Sequence, residues 1–175
     1  VPTPEPEFVG GEVDDGGGTV STGGVATVSD PVETSVTVPA GTGGGIVEID
    51  ETAPTETAPS GFTFLGQQVN ITAPDATVEN PLVLTFNLHS SISGTDPNVV
   101  EIFKAAVLVG VCTGVGATPD PCVESRAMIG DNIQIVIRTA TASPWNFGVL
   151  PEPAGIAMLA SGIVTLAGLR RLRRR

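Results

Sequence analysis

Leu82, Leu84, Phe86 and Leu88 alternate with Val83, Thr85, Asn87 and His89. A period of two with one apolar face is the pattern of a half-buried strand. Ile133, Ile135 and Ile137 alternate in the same way with Asn132, Gln134 and Arg138. Shorter runs predict strands over 25–28, 35–38, 46–50, 62–65, 68–71 and 99–104, and the apolar stretch 105–112 is a candidate doubly buried strand. Turn signals separate these runs: PAGTGGG at 39–45, Pro74-Asp75, GTDP at 94–97 and Gly130-Asp131. No 3.6-residue apolar period occurs among them. About eight strands in roughly 125 residues predict an all-β domain over 25–149, an antiparallel β-sandwich of immunoglobulin-like type. Its expected core is Val36, Val38, Val47, Ile49, Phe62, Phe64, Leu82, Leu84, Phe86, Leu88, Ile102, Ile133, Ile135, Ile137 and Phe147. Trp145, the single tryptophan, is expected to close that core, with a sugar-stacking ligand contact as the minority reading.

Residues 1–24 break the pattern. They are rich in Pro, Gly, Glu and Asp with one aromatic, Phe8, and they read as a flexible linker unable to bury enough apolar area to offset ordering. Asp14 and Asp15 precede glycines, but the alternating oxygen ligands and distal Glu of an EF-hand loop are missing. The tandem ETAP units at 51–54 and 56–59 read as an extended loop.

Composition agrees with many short strands: Gly (22) and Pro (15) are abundant and Tyr is absent. Charge excludes one class of partner. Of 8 basic and 19 acidic residues, five basics are Arg170, Arg171, Arg173, Arg174 and Arg175, and one acid is Glu152. Residues 1–150 therefore carry 3 − 18 = −15, which repels nucleic-acid phosphates.

Candidate chemistry is sparse. Cys112 and Cys122 flank a turn-rich loop and suit a disulfide in an oxidising compartment, two free buried thiols being the alternative. His89 is the sole histidine and sits beside Ser90 and Ser91, a spacing that does not by itself activate a serine. GxSxG, HExxH and phosphate-loop sequences are absent, and no metal or cofactor is expected. Asn70-Ile71-Thr72 matches a glycosylation acceptor by chance. Carboxylates that meet only in three dimensions remain open as a glycan-cleaving pair. The chain starts at Val1, so either an N-terminal piece has been removed or the sequence is the C-terminal part of a longer protein.

The last 26 residues form an ordered series: Pro151-Glu152-Pro153, then an uncharged run over 154–169, then the arginine cluster. Sixteen helical residues span about 24 Å, short of a hydrocarbon core of about 30 Å unless Leu150 and snorkelling arginines extend it. A transmembrane helix is expected, with the arginines cytoplasmic and residues 1–150 across the membrane. A buried core helix with a basic tail is the alternative. This series resembles the PEP-CTERM sorting signal of Gram-negative bacteria. The resemblance implies recognition by an exosortase, an integral-membrane cysteine transpeptidase, with Pro151, Glu152 and Pro153 as motif and the terminal arginines as stop. It further implies a precursor anchored in the inner membrane, then release to the surface or to an exopolysaccharide matrix. The segments 120–126, 130–139 and 143–149 are also similar to β-domains of bacterial extracellular proteins. A non-enzymatic surface β-module is the expected function. A carbohydrate- or calcium-dependent adhesin domain and a glycan-active enzyme are the alternatives.

Overall fold

The two alternating runs become neighbouring central strands. The structure, a computed structural model, describes residues 6–150. In chain order its elements are β1 (Glu7–Val13), β2 (Gly18–Ser21), β3 (Val32–Val38), β4 (Gly45–Thr52), β5 (Thr63–Thr72) and β6 (Leu82–His89). A four-residue helix α1 (Ser90–Ser93) follows, then β7 (Val100–Lys104), β8 (Val107–Leu108), β9 (Cys122–Ile129), β10 (Asn132–Thr139) and β11 (Pro144–Val149). The strands pair antiparallel in two sheets, one ordered β1-β4-β5-β11-β7-β8 and the other β2-β3-β6-β10-β9. In the second sheet Ile133 opposes Leu88, Ile135 opposes Phe86 and Ile137 opposes Leu84. Their shared face is wholly buried against Val47, Ile49, Val69, Ile102, Trp145 and Phe147 of the first sheet. The Phe86 ring lies edge-on to Phe147, with centroids 5.0 Å apart, and 6.0 Å from Trp145. Burying each such side chain stabilises the fold by roughly 1.5–3 kcal/mol.

Four expectations are corrected. There are eleven strands rather than about eight. The immunoglobulin-like order does not describe them, because that fold keeps its first two strands in one sheet, whereas β1 and β2 lie in different sheets. Secondly, most of the expected linker, 1–24, is structured: β1 pairs with β4 from Glu7↔Glu51 to Val13↔Gly45, and β2 pairs with β3. Of the residues in β1 only Val13 is buried. Backbone hydrogen bonds to a sheet edge order this segment without the apolar content that signals a strand. Gly11 matters here, because a Cβ at that position would lie 2.7 Å from Val20 and push β1 away from β2.

Thirdly, residues 25–28 form no strand, 62–65 and 68–71 merge into β5, and the stretch 105–112 supplies only the two exposed residues of β8. Ala105 and Ala106 both take positive φ, 47° and 60°, which breaks the extended run. Phe62 and Phe64 are half-buried rather than core. They cover Phe103, with centroids 5.0 and 5.4 Å away, on the face of β7 opposite Val100 and Ile102. Lastly, the helix expected over 154–169 lies outside the described residues, and among those described no helix is long and apolar enough to cross a membrane. The fold of the described residues is two antiparallel sheets with one four-residue helix.

Candidate functional site

Strand alternation puts Val47, Ile49 and Glu51 on one face of β4. The two valine and isoleucine positions enter the core, and the carboxylate follows them in: Glu51 is 0% exposed. The β1–β4 register sets Glu7 directly opposite it. Directly opposed residues of an antiparallel pair have their Cβ atoms about 5 Å apart on one face. From the other sheet, the Thr34 hydroxyl of β3 donates to Glu51 Oε1 at 2.7 Å. The Thr22 hydroxyl lies 3.4 Å from the same oxygen and 3.1 Å from Glu33 Oε2, and it accepts from the Thr34 amide at 2.9 Å. Asp30 arrives on the loop between β2 and β3. That loop is fixed by the Thr27 amide donating to the Asp30 carbonyl (2.7 Å) and the Asp30 amide donating to the Thr27 hydroxyl (3.1 Å).

The result is a knot of carboxylates between the sheets. Oxygens of Glu7, Asp30 and Glu51 all lie within 4.8 Å of one another. Glu33 is also buried, at 7% exposure, and Gly23 lies so close to its carboxylate that a Cβ there would collide with it. Glu51 Oε2 is buried with no hydrogen-bond partner among the described residues.

No side-chain cation among the described residues offsets these charges. Lys104 Nζ donates to the Thr139 and Thr141 hydroxyls and the Thr141 carbonyl. Arg126 pairs with Glu101 at 3.0 Å, and Arg138 pairs with Glu124. The carboxyl pKa values respond accordingly. Burial pushes Glu51 up to about 8, with the Thr34 hydroxyl opposing and the charges of Asp30, Glu7 and Glu33 adding to the rise. Burial likewise raises Glu33, against the Thr22 hydroxyl and with help from Asp30 and Glu7. Glu7 rises through burial and through Asp30.

Carboxylates about 5 Å apart are the spacing of a retaining glycosidase. Glu51, however, presents no accessible surface to a sugar. A small ion approaching from the half-buried Glu7 and Asp30 side is the ligand class that this geometry admits.

The residues singled out from sequence lie elsewhere. Asp14 and Asp15 serve turns, accepting from the Gly16 amide (2.8 Å) and the Gly43 amide (2.9 Å). Trp145 is 0% exposed, against Phe86 and 5.4 Å beneath Lys104 Nζ, so it offers no face for stacking a ligand. Its indole nitrogen is buried without a partner among the described residues. Cys112 and Cys122 form the disulfide, with Cα atoms 4.8 Å apart. His89 is the N-cap of α1, and its Nδ1 accepts from the Ser91 amide at 3.1 Å. Pro151, Glu152, Pro153 and Arg170, Arg171, Arg173, Arg174 and Arg175 lie outside the described residues.

None of Glu7, Asp30 and Glu51 stands out as chemistry in the sequence, where each reads as a solvated linker or turn acid. The signal that finds one of them is an acid extending the apolar face Val47–Ile49 at the same spacing of two. Glu7 and Asp30 carry no comparable mark. Comparison with protein-family models, with curated proteins and with solved structures finds no match in any of the three.

Proposed function

We propose that this chain is a non-enzymatic β-module of the bacterial surface or extracellular matrix, addressed there by its C-terminal segment. The observation that carries this reading is the order of Pro151-Glu152-Pro153, the uncharged run 154–169 and the terminal arginines. That order resembles the PEP-CTERM signal and implies an exosortase-type transpeptidase as processing partner. On this reading the precursor is handled at the inner membrane of a Gram-negative cell with residues 1–150 on the periplasmic side. The body then reaches the surface or an exopolysaccharide matrix. The Cys112–Cys122 disulfide supports an oxidising destination. A role without catalysis is supported by the capping duty of His89 and the inaccessibility of Glu51.

The test is the intact mass of the surface-released protein from cells with and without the transpeptidase. A C-terminus cut near Pro151–Pro153 only when the enzyme is present is expected. Retention of Arg175 in both strains overturns the sorting role. Polysaccharide hydrolysis by the purified protein would overturn the non-enzymatic one.

A further inference from the structure

We infer that Glu7, Asp30 and Glu51 form a calcium site that ties the N-terminal strand β1 to both sheets. The three carboxylates come from three separate pieces of backbone. Glu7 and Glu51 are paired across β1 and β4 of one sheet, and Asp30 leads into β3 of the other. Two oxygens bound to one calcium at about 2.4 Å can be no more than about 4.8 Å apart, and these three groups meet that limit together.

Close acids alone are common on surfaces and prove nothing. Here a second and independent fact points to a ligand. Glu51 has no exposed surface, and its Oε2 is buried with no hydrogen-bond partner among the described residues. An orphaned carboxylate oxygen in the interior is costly unless a proton or a cation satisfies it. The other oxygen of the same group is already fixed by Thr34, so the free one is presented in a held orientation. The three described Lys and Arg side chains are engaged elsewhere, which leaves the cation to come from solution.

The donor set selects the kind of ion. All candidate ligands are hard carboxylate oxygens, with the Thr22 hydroxyl beside them and neither imidazole nor thiolate in the group. Such a set suits calcium, which takes six to eight oxygens in irregular geometry, and is poor for zinc or copper. Glu7 and Asp30 are partly exposed, so water can complete the shell and the ion can enter from their side. Three carboxylates on a half-open site correspond to the affinity range of extracellular modules, with Kd on the order of 0.1–1 mM. This inference does not rest on the sorting signal.

The experiment uses the full 175-residue chain, stripped with chelator and titrated with calcium chloride by calorimetry and by thermal unfolding. One ion per chain is expected. At a hundredfold excess over Kd the midpoint should rise by roughly 5–10 °C. Glu51→Gln keeps the size of the side chain and an acceptor for Thr34 but removes the charge, so it should fold, lose the calcium-induced shift and weaken binding at least tenfold. Asp30→Asn, on a loop where misfolding is not expected, should weaken binding as well. Asp15→Asn, in an acidic turn at the other end of β1, should bind as the parent does. Calcium should also slow amide exchange of residues 7–13 in the parent and not in Glu51→Gln. No heat and no shift in the parent, an undiminished shift in Glu51→Gln, or equal affinity for magnesium would each overturn the assignment.

Discussion

The middle of the five-stranded sheet and the N-terminal edge of the molecule are built on different terms. At the middle, β6 and β10 each have a strand on both sides and turn an unbroken apolar face, Leu82 to Leu88 and Ile133 to Ile137, into the interior. At the edge, β1 has one neighbour, β4, and places Val13 alone in the core, while Phe8 stays 63% exposed. What lies beneath β1 at its Glu7 end is a set of carboxylates. The centre is held by removing hydrocarbon from water. The edge is held by a backbone ladder and by whatever satisfies the acids below it.

The largest effect should separate the two directly. Phe86→Ala removes a ring wholly buried against Trp145 and Phe147 and should cost about 3–5 kcal/mol. Phe8→Ala, at the exposed edge, should fall within about 0.5 kcal/mol. Urea unfolding of the two variants checks this, and similar losses would mean that β1 is part of the core after all. Next comes an edge of the other sheet, where the disulfide joins Cys112 to Cys122, the first residue of β9. Replacing both cysteines by serine opens a short loop and should cost about 2–3 kcal/mol, read from the same denaturation curves. That would make one edge covalently fastened where the other is fastened by charge.

The smallest effect, taken per pH unit, is a slope. In chelator, the folded-state pKa of Glu51 lies at about 8 against an ordinary 4.5. Between these values the native state binds the extra proton, so stability is fully present below about 4.5 and is lost as pH rises toward 8. One such group contributes at most about 1.4 kcal/mol per pH unit, and Glu7 and Glu33 shift in the same direction. Thermal unfolding from pH 4.5 to 8 should show the decline in the parent and a flatter profile in Glu51→Gln. A profile that rises with pH would break the account of the edge.

The same contrast explains what could be read from the chain. Alternation reveals a strand when burial holds it, and so β6 and β10 were legible to within a residue. Strand β1, with glycines and acids at most positions, is held by pairing, which leaves no hydrophobic trace, and it reads as linker. Strand β11 hides for another reason. Its burial covers both faces from Trp145 to Gly148, so no period of two survives. The acidic site was legible at one residue, Glu51, through its register with Val47 and Ile49. Glu7 and Asp30 join it only because β1 folds back along β4 and the loop before β3 closes over them. That juxtaposition belongs to the topology and to no local pattern.

The position of the two outermost described strands also has a mechanical consequence. Tension entering through Leu150 is taken up by β11, which is laddered to β5 on one side and β7 on the other. Tension entering through residue 6 falls on β1, which has the single ladder to β4. A pull between the two ends should therefore peel the N-terminal strand first and leave the rest of the sandwich intact. An ion seated at Glu7 would sit at the point where peeling starts, acting as the latch on a molecular fuse.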